Sequence, residues 1–245
     1  MKKYILFFIA VIAVTTASAQ SGYNYQELGV GVEASYVRGY TNVQTQYYHP
    51  ALGVSFIYNY TPYVPIAAEI QFGQLSGGGL TTDLDKYGRQ YTNHYKAVML
   101  HADLHLGEII DYEDSWILER IKNFYAGTGA GVIINTNKVQ RTNVIPANGS
   151  LTYVFPGNDN SVDLMIPFRF GYEFKIYDSY NEPGMAIDIG YTHNFAFGEG
   201  LDGYNDDPAK FRNNATDQYT QITIGFKYFF GRVVSHTKII RTFHY

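Results

Sequence analysis

Alternation of apolar and polar residues recurs along most of this chain. The clearest case is residues 162–176, where one parity is apolar and partly aromatic and the other carries Arg169, Glu173 and Lys175. Residues two apart share one face of a β-strand, so the pattern predicts a strand with two chemically opposed faces. Similar alternation predicts seven further strands, at residues 28–38, 51–60, 64–75, 95–107, 124–136, 185–195 and 218–230.

The connections between these predicted strands alternate in kind. Long polar loops follow the first, third, fifth and seventh strands, and shorter segments follow the second, fourth and sixth. This rhythm is typical of an up-and-down barrel with long loops at one end and short turns at the other. Residues 108–122 also predict a short helix, capped by Asp114 or Ser115 and carrying Trp116. That helix either lies in a membrane interface with Trp116 as an anchor or packs on the end of the barrel.

The charged parity of the strands decides between two barrel types. A transmembrane barrel turns its apolar parity to lipid and its polar parity to the lumen, whereas a lipocalin-like soluble barrel does the reverse. Tyrosines near the strand ends favour the membrane, because aromatic girdles mark both interfaces. We therefore predict an all-β fold, an eight-stranded antiparallel transmembrane β-barrel with a short periplasmic helix. Its predicted lumen polar network is Glu33, Glu69, His101, Asp103, His105, Arg169, Glu173, Asp188 and Lys227, with Lys175 on the same parity.

Eight strands enclose an interior just wide enough for side chains, so the inward charges should form a plug. Buried charge is costly unless it is paired. We expect Arg169 to pair with Glu33 or Glu69 at the centre of the lumen. Lys227 should pair with Asp188 nearer the short turns.

The two ends of the chain predict export and a tail. Lys2 and Lys3 precede an apolar run that ends at residues 17–19 in an A-x-A pattern, which predicts a cleaved signal peptide over residues 1–19. The barrel is predicted over residues 20–230 and a short periplasmic tail over 231–245. The chain contains no cysteine, so no disulfide contributes to its stability. The net charge of −4 gives no indication of nucleic-acid binding.

Two clusters invite a chemical interpretation. His101, Asp103 and His105 alternate on one predicted strand and could ligate a metal, but residues two apart on a strand are roughly 6–7 Å apart and rarely reach one ion. We therefore assign them to the lumen network. Residues 202–207 carry three aspartates and one asparagine, yet lack the spaced ligand set of a calcium loop, and a solvated turn is the simpler interpretation. No metal, cofactor or catalytic residue is predicted.

Several stretches together resemble a known family. LGVGVEASY, YAGTGAGVI, IPFRFGYEF, AIDIGYTHNF and IGFKYFF are similar to strands of the small outer-membrane β-barrel proteins of Gram-negative bacteria. The resemblance covers nearly the whole predicted mature chain and implies the fold and a location in the outer membrane, without implying a reaction. Residues 231–245 are too few for the peptidoglycan-binding domain that follows the barrel in some members.

These observations lead to a set of functional expectations. The first is an integral outer-membrane barrel without catalytic activity, which acts through its extracellular loops as a structural or interaction component of the envelope. Outer-membrane lipid, lipopolysaccharide and envelope proteins are its expected partners, and nucleic acid is not. The alternatives are a lipid-modifying barrel enzyme, a lipocalin-like periplasmic ligand binder and a narrow porin-like channel.

Overall fold

The structure is a computed structural model that describes residues 24–112, 115–145, 152–180, 182–207, 211 and 216–236. Eight antiparallel strands form one closed barrel in which each strand pairs with its neighbours in sequence and β1 pairs with β8. The strands are β1 (Asn24–Tyr40), β2 (Gln46–Thr61), β3 (Val64–Gly78), β4 (Gln90–His105), β5 (Phe124–Val139), β6 (Asn160–Tyr177), β7 (Pro183–Phe197) and β8 (Gln218–Ser235). The fold predicted from the sequence is confirmed. The predicted signal peptide lies outside the described residues.

Two short helices occupy the connection between β4 and β5. The first, α1 (Leu106–Ile109), continues directly from β4, and the second, α2 (Trp116–Ile121), begins after Ser115, whose side chain makes no capping hydrogen bond. Where one helix was predicted, there are therefore two. Neither these nor any other described helix has the length and apolarity needed to cross a bilayer.

Most strands extend further towards the long loops than the sequence pattern predicted, and β8 also extends at its other end. It runs to Ser235, where a tail was predicted from residue 231, because residues 24–26 continue the pairing with β8. Two residues of β8 oppose Glu27 at a β-bulge, and one of them, Gly231, has a φ of 99°. The predicted barrel end at residue 230 is thus corrected to residue 235; residues 237–245 lie outside the described part of the chain.

The two faces of the sheet differ as the alternation predicted. Outward side chains form an exposed apolar band, exemplified by Val32, Val54, Leu100, Phe170 and Ile224. The inward parity holds the charged and hydrogen-bonding residues, which are buried. A lipocalin-like barrel requires the opposite arrangement, so that alternative does not fit the structure.

Aromatic side chains border the apolar band at both ends of the barrel. Near the long loops, which we call the loop end, the rings of Tyr36 and Tyr48 stack with their centroids 6.1 Å apart. At the opposite turn end, Phe124 and Tyr172 make an edge-to-face contact at 4.7 Å. Paired belts of this kind occur where barrels meet the two membrane–water interfaces.

Candidate functional site

The lumen of the barrel is filled by inward side chains. Every residue of the predicted polar network is buried there: Glu33, Glu69, His101, Asp103, His105, Arg169, Glu173, Asp188 and Lys227. They come from β1, β3, β4, β6, β7 and β8, so strand alternation alone directs them to one space. All of them except Glu33 belong to one of two groups at different depths.

Arg169 organises the central group. Its Nε lies 3.2 Å from Asp103 Oδ1, and its Nη1 lies 3.3 Å from Glu69 Oε2. His101 lies between the same two carboxylates, with Nε2 3.4 Å from Glu69 Oε2 and Nδ1 3.6 Å from Asp103 Oδ1. One planar guanidinium thereby serves carboxylates from two strands, which suits arginine better than lysine. The predicted Arg169–Glu69 pair is present.

Of the two alternatives predicted for Arg169, Glu69 forms the ion pair, Glu33 forms none with it among the described residues, and Asp103 is a second partner that was not predicted. The reason lies in β5, which pairs with both β4 and β6. Gly127 stands between Asp103 and Arg169 in the register, and a Cβ on it would lie 2.0 Å from Asp103 Oδ1. The missing side chain leaves room for Asp103 and Arg169 to meet across β5.

Lys227 organises the group nearer the turn end. Its Nζ lies 2.7 Å from Glu173 Oε2 and 3.4 Å from Asp188 Oδ1, the second being a predicted pair. Asp188 also accepts a hydrogen bond of 3.1 Å from the Tyr125 hydroxyl. Lys175 lies 3.8 Å from Glu173 and donates to the backbone carbonyl of Pro62. Charges of opposite sign therefore meet in this group, as burial requires.

A neutral layer fills the lumen between the central group and the loops. The Tyr95 hydroxyl donates to Gln71 Oε1 at 2.8 Å, and Gln71 Nε2 donates to Gln221 Oε1 at 2.9 Å. The rings of Tyr95 and Tyr219 pack with centroids 5.5 Å apart. Side chains thus occupy the interior at three successive depths, which favours a plugged barrel over an open channel.

The long loops fold over this end of the barrel as a cap built on Arg89. The Arg89 guanidinium forms ion pairs with Asp85, at 3.1 Å, and with Asp206 of the loop between β7 and β8. It also donates to the carbonyl of Asn42 at 2.8 Å, so it joins three of the four loops. The rings of Tyr87, Phe155 and Tyr204 surround its charge, with centroids 5.7–5.8 Å away. Sequence reasoning missed Arg89, because nothing in a polar loop indicates which cation will be buried.

The loop between β5 and β6 joins the same cap. Arg141 donates to the carbonyl of Gly203 at 2.6 Å, and the Tyr204 hydroxyl donates to the carbonyl of Gln140 at 2.8 Å. Phe155 packs edge-on against Tyr204 with ring centroids 5.7 Å apart. We call this packed unit of residues 41–45, 79–89, 140–145, 152–159 and 198–207, with Phe211, the loop cap. It has its own apolar core continuous with the lumen.

Acidic side chains gather on one side of the loop cap. Burial, followed by repulsion from Asp202 and Asp206, raises the pKa of Glu199 to about 7. Burial also raises the pKa of Asp202 to about 6 and that of Asp217 well above its usual range, with Asp202 and Glu199 adding to the latter effect. These three carboxyls therefore hold their protons to a higher pH in the folded protein than in the unfolded chain.

The predicted metal-ligand patterns do not assemble into a metal site. His105 stacks on Tyr125 in the turn-end group, away from the carboxylates that contact His101. In the 202–207 segment, Asp206 pairs with Arg89, and Asp202 Oδ1 accepts the backbone N–H of Tyr204 at 2.9 Å. The described residues contain no group of three or more histidine, aspartate or glutamate side chains able to hold a metal ion.

A serine–histidine contact lies on the outer face at the loop end. His49 Nε2 is 2.6 Å from Ser76 Oγ, and His49 Nδ1 is 3.5 Å from Gln74 Nε2. Parity alone would turn His49 inward with Ala51. The register between β2 and β3 shifts between Tyr47 and Ala51, and this bulge turns His49 to the outer face. Sequence alternation does not reveal such a shift, so this pair was missed.

Comparison with known proteins finds solved structures of similar fold and low sequence identity. No family model and no curated protein sequence matches the chain. Neisserial surface protein A is 11% identical, with 83% of this chain and 97% of that chain covered and a TM-score of 0.44. Ail of Yersinia pestis, solved with the heparin analogue sucrose octasulfate, is 11% identical, with coverages of 84% and 99% and a TM-score of 0.43. CarO of Acinetobacter baumannii is 16% identical, with coverages of 81% and 97% and a TM-score of 0.40.

Proposed function

We propose that this protein is an integral outer-membrane β-barrel without catalytic activity that presents its loop cap at the cell surface as an interaction surface. The observation that carries the proposal is the sorting of side chains between the two faces of one closed sheet. The outer face is an apolar band bordered by aromatic belts, and the inner face is charged and paired. Lipid offers no hydrogen bonds, so a closed barrel with this polarity is suited to a bilayer and unsuited to water.

The packing of the lumen supports a role at the surface in preference to transport. Three layers of buried side chains obstruct the axis, and the loop cap covers the end at which the long loops lie. The lumen histidines His101 and His105 are enclosed, which removes them from contact with lipid. What such a barrel offers its surroundings is the outer surface of the cap.

The membrane assignment can be tested by replacing leucine with arginine at two positions, one in the apolar band and one in the loop cap. Leu100 lies at the centre of the apolar stripe of β4 and is 59% exposed, whereas Leu80 lies in the loop cap and is 51% exposed. Arginine at the midplane of a barrel costs roughly 2–4 kcal/mol, and nearly nothing in water. Leu100→Arg should therefore reduce insertion into outer membranes and heat-modifiable gel mobility, while Leu80→Arg should leave both unchanged. Equal behaviour of the two variants would contradict a membrane-embedded band.

One contact favours the alternative of a lipid-modifying enzyme. The Ser76 hydroxyl is within hydrogen-bond distance of the His49 ring at the height of the loop-end aromatic belt, which is the arrangement of a nucleophile and its base. The third group of such a triad is weak here, since Gln74 is 3.5 Å from the ring. The non-catalytic proposal predicts that purified protein releases no fatty acid from phospholipid or lipid A. Release that is abolished by Ser76→Ala would establish the enzyme instead.

A further inference from the structure

The outer face of β1 to β5 carries a row of basic and hydrogen-bonding side chains at its loop end. These neighbouring strands contribute one or two residues each. We call the row the cationic stripe, and its members are Arg38, His49, Gln74, His94, Lys96 and Lys138. It begins where the apolar band ends.

The strand register places the stripe against apolar residues. Lys96 pairs with Phe72 on one side and with Ile134 on the other, both exposed on the outer face. Its methylene chain can therefore lie along apolar surface while the ammonium reaches towards the lipid headgroups. The Arg38 guanidinium lies 5.3 Å from the ring centroids of both Tyr40 and Tyr48, in the loop-end aromatic belt.

At the loop end of the barrel, the outer face carries positive charges and the inner face carries the carboxylates. In the loop-end half of the described strands, the carboxylates Glu33 and Asp163 face inward, and the charged residues of the outward parity are Arg38, Lys96 and Lys138. None of the three cations has an ion-pair partner among the described residues. Arg38 Nε is also buried without a hydrogen-bond acceptor. These groups suit a partner with acceptor oxygens and negative charge.

We propose that the cationic stripe binds the phosphate groups of the phosphorylated glycolipid of the outer leaflet, lipopolysaccharide. The proposal rests on the proposed function, because the loop end faces the outer leaflet only if the barrel spans the outer membrane. Acyl chains would pack on the apolar band below, and the phosphates would lie at the height of Arg38, Lys96 and Lys138. The arginine fork and the ammonium groups suit phosphate oxygens, and Ser76, His49 and Gln74 can hydrogen-bond to sugar hydroxyls.

The experiment compares two variants of equal charge change in the full chain. The first combines Arg38→Gln, Lys96→Gln and Lys138→Gln. The control combines Lys86→Gln, Arg120→Gln and Arg232→Gln, which removes three exposed cations from the cap and the turn end. Each protein is folded in detergent, its folding is verified by heat-modifiable mobility, and binding is measured to bis-phosphorylated lipid A, dephosphorylated lipid A and phosphatidylglycerol in mixed micelles.

The stripe variant should bind bis-phosphorylated lipid A about tenfold more weakly, as the loss of three charge contacts at the surface implies, and the control should bind like the unaltered protein. Unaltered protein should lose a similar factor when the lipid A phosphates are removed. Equal weakening in both variants, tight binding of dephosphorylated lipid A, or equally tight binding of phosphatidylglycerol would each overturn the proposal. Because folding and mobility are recorded separately, such a result would leave the membrane assignment standing.

Discussion

Arg169 and Asp103 meet across β5 on the lumen side of the sheet, with Nε 3.2 Å from Oδ1, although they belong to strands that do not pair with each other. The strand between them contributes Gly127 at the point of contact. The ion pair at the centre of the barrel therefore depends on two charged residues and on the absence of a side chain at a third position.

Replacement of Arg169 should destabilise the barrel. Arg169→Met leaves Asp103 and Glu69 buried without their cation, and breaking a buried pair from one side costs roughly 3–5 kcal/mol. The measurement is the urea midpoint of unfolding in lipid or detergent. Adding Asp103→Asn and Glu69→Gln should recover much of the loss, because no charge is then left unpaired. A neutral Arg169→Met would contradict the observed pairing.

The glycines of β5 allow close approach of the neighbouring strand β4. A Cβ on Gly129 would lie 2.1 Å from the backbone oxygen of Leu100, whereas a Cβ on Gly184 of β7 would meet nothing within 4 Å. Gly129→Ala should therefore lower the unfolding free energy by about 1–3 kcal/mol, since the clash is with backbone. Gly184→Ala is the matched control and should be close to neutral. If both variants lost a similar unfolding free energy, the loss would come from replacing a glycine as such and not from local crowding.

The loop cap should open without Arg89. Arg89→Met removes the cation that joins Asp85, Asp206 and the carbonyl of Asn42, so proteases should cut residues 79–89 and 198–207 on whole cells several times faster. Lys86→Met, which alters an exposed neighbour, is the control. Heat-modifiable mobility should persist in both, because the barrel ladder does not include these residues. Unchanged cleavage in Arg89→Met would show that apolar packing alone holds the cap.

The order of the loop cap should decrease as pH rises. In the folded protein, the pKa of Glu199 is raised to about 7 and that of Asp202 to about 6, whereas an unfolded carboxyl has a pKa of about 4. The folded cap therefore binds more protons than the unfolded one at intermediate pH. The associated stabilisation is complete below the unfolded pKa and is lost as pH rises through the folded pKa values. The intrinsic rate of amide hydrogen exchange rises with pH because exchange is base-catalysed. After correction for that rise, exchange in the loop cap should still accelerate between about pH 5 and about pH 8.

The variant that combines Glu199→Gln and Asp202→Asn should show less of this dependence than the unaltered protein, because Asp217 retains its raised pKa. It keeps the other charged groups that face this side of the cap, which are Asp85, Arg89, Arg141, Asp163, Asp206 and Asp217. Protection that rises with pH in the unaltered protein would contradict the assignment of protonated carboxyls.

Trp116 should report on the turn end of the barrel. It is the one tryptophan of the chain, is 71% exposed on α2, and has the Arg120 guanidinium 5.8 Å from its ring centroid. The Tyr172 hydroxyl, on the outer face of β6, donates to the carbonyl of Arg120 at 2.7 Å, which places α2 beside the aromatic belt. Fluorescence in bilayers should be blue-shifted and quenched by brominated lipid, as for an interfacial anchor. Emission typical of water with efficient acrylamide quenching would assign α2 to the periplasm.

The sequence determined the strands, their number and their faces. Alternation is local, so residues 162–176 predict the inward position of Arg169 and Glu173 without knowledge of any partner. Lys227 was paired with Asp188 because both lie on the inward parity at a similar depth of two strands adjacent in sequence. The pattern at each strand end was less informative, because pairing in β1 and β8 continues through a bulge at Gly231 that does not appear as alternation.

Tertiary structure decided which partners meet. Arg169 binds Asp103 in addition to Glu69 because Gly127 of β5 has no side chain between them, and His49 reaches the outer face because β2 has one residue more than β3 at their bulge. Arg89 became the centre of a cap through contacts with Asp206, 117 residues away in sequence. Such contacts depend on register and on the packing of distant loops, which local periodicity does not encode.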